Sequence, residues 1–107
     1  MIARIWHGWT SKEKADRYEA LLKQEIFIGI EQKNVKGYKG IQLLKRDLES
    51  EVEFTTIMWF DNLESVKQFS GDEHYELAYV PPEAREVLAR FENESIHWEL
   101  RHTLHYE

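Results

Sequence analysis

Apolar residues along this chain recur at two spacings, and each change of spacing marks a new element. The C-terminal stretch is the clearest case. Ile96, Trp98, Leu100, His102, Leu104 and Tyr106 fall on one side of an extended chain, and His97, Glu99, Arg101, Thr103 and His105 on the other. A period of two predicts a strand with one buried face. Spanning 96–107, it is long where strands usually run about 3–10 residues. Residues 1–9 predict another strand, with Ile2 and Trp6 on one face and Ala3, Ile5, His7 and Trp9 on the other. Apolar groups on both faces place it in the middle of a sheet. Residues 40–47 and 52–60 alternate in the same way, and the polar stretch between them predicts an antiparallel hairpin.

Spacings of three and four predict the helices. Thr10 and Glu13 form a capping-box signature ahead of Ala15, Tyr18, Leu21, Leu22 and Ile26, so an amphipathic helix follows. Gly29 and Gly37 place its end between 26 and 36. A second cap signal over 61–64 opens a short helix carrying Leu63, Val66 and Phe69, which Ser70-Gly71 interrupts. Asp72 can start a further turn carrying His74, Tyr75 and Tyr79. Pro81-Pro82 ends that piece, and Ala84, Val87, Leu88 and Phe91 predict a last helix.

The order is β-α-β-β-α-β with a broken second helix: one α+β domain over 1–107 of ferredoxin-like arrangement. Its four-stranded antiparallel sheet would carry helices on one face. No further element remains to cover the other face, so the expected partner is a second copy, giving a homodimer by closed two-fold pairing.

Composition narrows the function. Five Phe, five Tyr and four Trp in 107 residues exceed what a core of this size needs, which predicts an aromatic cavity, an interface, or both. A net charge of −6 opposes binding to nucleic acid phosphates. No apolar run is long enough to span a membrane, and residues 1–6 lack the pattern of a secretory signal. With no cysteine, thiolate chemistry, disulfides and iron–sulfur clusters are excluded. A cytoplasmic protein is expected.

Several side chains could carry chemistry. His7, between Trp6 and Trp9, titrates near neutrality and can act as a general base; packing at the sheet rim is the alternative. Trp59, at the end of the third strand, can stack on a flat ligand or fill the core. His74, Tyr75 and Tyr79 lie in the interrupted helical region, where element ends serve as hinges; surface packing is again the plainer role. His97 and His105 share a strand face but stand about 26 Å apart at the rise per residue, so no metal site is expected.

With that element order, the stretch Met58-Trp59-Phe60-Asp61-Asn62-Leu63-Glu64-Ser65 and the following His74-Tyr75, the chain resembles the antibiotic biosynthesis monooxygenase family of the dimeric α+β barrel superfamily. The resemblance implies a homodimer with a cavity between each sheet and its own helices. It also implies oxidation of a small planar hydroxyaromatic or quinol without metal, flavin or other cofactor. His7, Trp59 and His74 would then serve catalysis, with Trp6, Trp9, Tyr75 and Tyr79 lining the substrate. A sister group degrades haem using an Asn on the first strand, a Trp at the end of the third, which Trp59 fits, and a His on the second helix. This chain has no Asn before Asn34 and places Tyr79 near the helical position, which argues against haem. A non-catalytic dimer that binds a hydrophobic aromatic metabolite is the alternative from another class.

Overall fold

The computed structural model describes residues 1–106. Its elements are β1 (Ile2–Ser11), α1 (Ala15–Leu21), a π-helical turn (Leu22–Ile26), α2 (Phe27–Gln32), β2 (Tyr38–Asp47), β3 (Glu51–Phe60), α3 (Leu63–Ser70), α4 (Pro82–Val87), β4 (Arg90–Phe91) and β5 (Ile96–Glu99). The sheet is antiparallel in the order β2-β3-β1-β4, with β5 also on β1. The two short pieces β4 and β5 therefore share the fourth strand position, one at each end of β1. The ferredoxin-like α+β architecture expected from the sequence is present, with β1 central.

Paired residues of an antiparallel ladder point to the same face, so the register sorts the sheet into two sides. On one lie the rows Thr10–Val52, Gly8–Phe54, Trp6–Thr56, Arg4–Met58 and Ile2–Phe60. These meet the helices, and Val52, Phe54 and Phe60 are fully covered there with Tyr18, Leu22 and Val66. On the other lie Trp9–Glu53, His7–Thr55, Ile5–Ile57 and Ala3–Trp59, extended by Ile96 and Trp98 of β5. Among the described residues no helix covers that side.

Residues 15–32 form one continuous helical rod whose inner stripe is Tyr18, Leu22, Ile26 and Ile30. A spacing of four drifts about 40° per step in an ideal α-helix. The wider π turn over Leu22–Ile26 absorbs that drift and keeps the stripe on the sheet. α3 opens as expected: the Asn62 side chain accepts a hydrogen bond from the Ser65 N–H at 3.0 Å.

Three expectations are corrected. Thr10 does not cap a helix: it pairs with Val52 inside β1, and the helix begins at Ala15 without a side-chain cap. Strand pairing of a β-branched residue outcompetes the cap, and leaves the Thr10 hydroxyl buried without a hydrogen-bond partner. The last helix stops at Val87, because residues 90–91 join the sheet edge as β4. The final strand runs only over Ile96–Glu99; residues 100–106 have no ladder partner and carry exposed Leu100, Leu104 and Tyr106. Glu107, the last residue of the expected strand, lies outside the described residues.

Candidate functional site

A cavity of about 50 Å³ lies between the sheet and the helical layer. The sheet contributes Arg4, Trp6, Thr56 and Met58, and the helical rod contributes Tyr18, Leu22, Ile26 and Ile30. Phe69 of α3 and Tyr79 close its remaining side. Its lining is mostly aromatic and aliphatic, with one charged group, Arg4. Space of this size admits water but falls well short of the roughly 300–1,000 Å³ of an open small-molecule pocket. A wider groove of about 540 Å³ between α2 and the start of β2 is open to solvent, with Lys23, Glu31 and Lys39 among its lining beside Phe27, Ile28 and Tyr38.

Arg4 is the most unusual residue of the site. Although charged, it is only 2% exposed, and among the described residues no carboxylate lies within salt-bridge distance of it. Its Nη1 donates to the Tyr75 carbonyl at 2.6 Å and faces His97 Nε2 at 3.0 Å. Its Nη2 donates to the Leu77 carbonyl at 2.8 Å and to Ser70 Oγ at 3.3 Å. The Phe69 ring lies 5.6 Å from the guanidinium carbon. Neutral acceptors thus satisfy the donors without balancing the charge. Burial lowers the Arg4 guanidinium to about 10, with the charge of Glu76 pulling it back up. A buried cation lacking an anion marks a place where an anion is favoured.

His97 answers to the same cation. Burial first, and the Arg4 charge second, hold its imidazole below the usual histidine range, with Glu76 opposing. Neutral His97 can then accept the Arg4 N–H through Nε2, while the Tyr75 ring packs edge-on against it at 5.3 Å. Elsewhere in the cavity, burial pushes the Tyr18 phenol up, so it stays protonated.

The residues singled out from the sequence divide between the two sides of the sheet. Trp6 lines the cavity, anchored by its Nε1 donating to the Glu92 carbonyl at 2.7 Å. Tyr79 lines it too, beneath Lys33, whose Nζ lies 4.5 Å from the Tyr79 ring and 4.6 Å from that of Phe69. Tyr75 packs next to it and supplies its backbone carbonyl to Arg4. His74 is exposed on the segment outside.

His7, Trp9 and Trp59 project from the opposite, uncovered face. His7 Nδ1 lies 2.8 Å from Thr55 Oγ1 and 3.2 Å from the Glu53 carboxylate, which Arg46 holds from its other oxygen. Trp9 lies beneath Arg90, and Trp59 donates to Gln42 at 2.9 Å. The structure therefore does not bring His7 and Trp59 together with Tyr79 in one pocket. The alternation that separates Trp6 from His7 made one of them face away; only the covering helices decide which.

Arg4 escaped the sequence reading although its signal was present. It shares a face with Ile2 and Trp6, the face that the register buries, and a charge at such a position is rare without a partner.

No family model matches the chain, and no curated protein matches it. Among solved structures it matches a Bacillus cereus protein provisionally described as an antibiotic biosynthesis monooxygenase. The match has a TM-score of 0.68 and spans 98% of this chain and 97% of that one, at 8% identity. The likeness is one of fold, and at that level it agrees with the resemblance carried by the motifs.

Proposed function

We propose that the cavity binds a small hydroxyaromatic or quinol as its anion beside Arg4, and that a homodimer of this chain oxidises it with molecular oxygen as a cofactor-independent monooxygenase. One observation carries this reading: a buried guanidinium with no carboxylate at ion-pair distance, Glu76 acting on it only from farther off, beside a space otherwise lined mostly by apolar groups. A phenolate beside a fixed cation in a dry site is favoured over the phenol, and the anion is the electron-rich form that reacts with oxygen. For a substrate with a ring methylene, one oxygen atom becomes the new carbonyl oxygen. The other leaves as water with the two methylene hydrogens, so the electrons lost by carbon match those gained by oxygen.

Among the described lining residues there is no Asp, Glu or His, so the substrate is taken up already ionised. Tyr79 and Trp6 provide the aromatic walls. The second copy covers the bare face of the sheet, where His7, Trp9 and Trp59 form part of the shared interface.

A panel of anthrones and dihydroxynaphthalenes in an oxygen electrode tests this. The wild-type protein consumes oxygen above background, Arg4→Met falls to background, and His7→Ala keeps most of the rate. A non-catalytic binder is the second reading, favoured by the small cavity and the missing base. It predicts saturable quenching of tryptophan fluorescence, Trp6 being in the wall, with oxygen uptake at background.

A further inference from the structure

A cavity of about 50 Å³ cannot take a ring system as it stands, so part of its wall must move. The segment over residues 71–81 is the part with the least regular structure, although Val80 near its end is buried in the core. It has no helix, and its ladder contact is a single bridge, Leu77 with Glu94. It starts at Gly71, with φ 101°, and ends at Pro81-Pro82. Its other ties include Ala78 N–H to the Asn93 carbonyl at 2.9 Å, Ser95 N–H to the Glu76 carbonyl at 2.7 Å, and Arg85 Nε to the Val80 carbonyl at 2.8 Å near its far end. The strongest ties come from inside the cavity: Arg4 grips the carbonyls of Tyr75 and Leu77 at 2.6 and 2.8 Å.

We infer that Arg4 is both the anion subsite and the latch of this strap, so that anion binding and strap opening are one event. The inference rests on the reading of the cavity as an anion site. Hydrogen bonds from a cation to carbonyls are replaceable by stronger ones to an anion. A phenolate or carboxylate entering the cavity competes for the donors on Nη1 and Nη2 that now hold the strap. As they turn to the anion, the strap loses its anchors at Tyr75 and Leu77 and swings on Gly71 and the Pro81-Pro82 pair. Tyr79 is carried with it, which enlarges the cavity for the ring. An empty site is thus a closed one, and an anion is what opens it. A neutral ring of the same shape has nothing to exchange for the carbonyls and leaves the strap shut.

Amide hydrogen exchange on the full chain tests this, with Leu77, Ala78 and Ser95 as reporters. The probes are 2-naphthoate and its neutral counterpart 2-naphthamide. In the empty wild-type protein these amides are protected. Arg4→Met raises their exchange about tenfold or more, while the amides of β1 and β3 stay as they were. Ser70→Ala removes a hydroxyl that accepts from Arg4 Nη2 and itself donates to the Leu77 carbonyl, both at 3.3 Å; it gives a smaller rise at the same amides and guards against loss of folding in the Arg4 variant. Saturating 2-naphthoate raises strap exchange in the wild type and adds nothing in Arg4→Met; 2-naphthamide changes neither. Equal protection in wild type and both variants overturns the latch. Binding of 2-naphthoate, seen by fluorescence, with an unchanged or better protected strap overturns the coupling while the anion site stands. Failure of 2-naphthoate to bind overturns the anion site and the coupling together, and the variants alone then decide the latch.

Discussion

The two faces of the sheet are built from the same strands with the same period, yet only one is covered. Beneath the helices, Val52, Phe54 and Phe60 are fully buried, and even Arg4 is drawn inside. On the opposite face, Ile96 and Trp98 each remain 59% exposed, beside Ile5, Ile57 and Trp59. Side-chain chemistry does not distinguish the faces, since both are largely apolar. What distinguishes them is the supply of helices, which suffices for one. The covered face therefore owes its burial to the chain itself, and an exposed apolar patch of the other kind marks an interaction surface. The two faces also divide the candidate chemistry: the cavity cation lies on one, and the histidine with its carboxylate on the other.

The largest effect that can break this contrast comes from truncating matched residues of β3. Phe54→Ala empties a site of zero exposure and is expected to cost about 3–5 kcal/mol. Ile57→Ala, three residues on and facing the bare side, is expected to cost less, by an amount that grows with protein concentration as the partner face fills. Urea titrations at two concentrations measure both. Equal losses that ignore concentration would show that the two faces do not differ in the way described.

Much of this fold is legible in the sequence because long periodic segments are hard to misread. β1, β2, β3 and the Asn62 cap follow from alternation and cap chemistry, and the extra φ-permissive residue at Gly37, with φ 89°, lies where the helical pattern fails. The misreadings share a cause. Thr10, Phe91 and residues 100–106 each satisfy a local rule, but pairing partners distant in sequence decide their state. Thr10 belongs to Val52 and Phe91 to Gly8, and past the Leu100 N–H, which donates to the Met1 carbonyl at 2.9 Å, residues 101–106 join no ladder. The site was harder for the same reason. Trp6 and His7 are neighbours in sequence and equally plausible, and a period of two says that they part without saying which turns inward. Arg4 was hidden by its type, since a charge within an otherwise apolar strand face is not expected to be buried.

Trp98 sharpens the contrast from the bare side. Trp98→Glu places a charge on the edge strand of the bare face, where a second copy is proposed to pack, and is expected to weaken dimerisation at least about 30-fold, as loss of an interface anchor does. Sedimentation reads the change as a fall from twice 12.9 kDa toward 12.9 kDa, with the circular dichroism of the folded chain retained. A wild-type protein that sediments as one chain at micromolar concentration would remove the partner from the picture.

A smaller effect comes from the covered side. Thr10 is buried with an unpartnered hydroxyl, so Thr10→Val keeps the shape, removes a polar group that water no longer reaches, and is expected to stabilise the protein by about 1 kcal/mol. Thr55→Val on the bare face removes the partner of His7 instead and brings no such gain. Thermal unfolding of the two variants side by side gives the difference.

The smallest effect is a slope with pH. His97 is held below the usual histidine range in the folded chain, by burial first and by Arg4 second. Around and below the ordinary value of 6.5 the unfolded chain therefore binds a proton that the folded chain resists. Stability rises with pH wherever the unfolded state holds more protons. The His97 contribution is thus fully present above 6.5 and is lost as pH falls through the lowered folded value. Protonation would also set imidazolium against guanidinium across 3.0 Å, loosening the grip of Arg4 on the strap. Unfolding midpoints between pH 7.5 and 5 are expected to fall more steeply in the wild type than in His97→Gln, which retains an acceptor for Arg4 but does not titrate. Parallel slopes would mean that the neutral imidazole is not what lets Arg4 sit uncompensated beneath the helices.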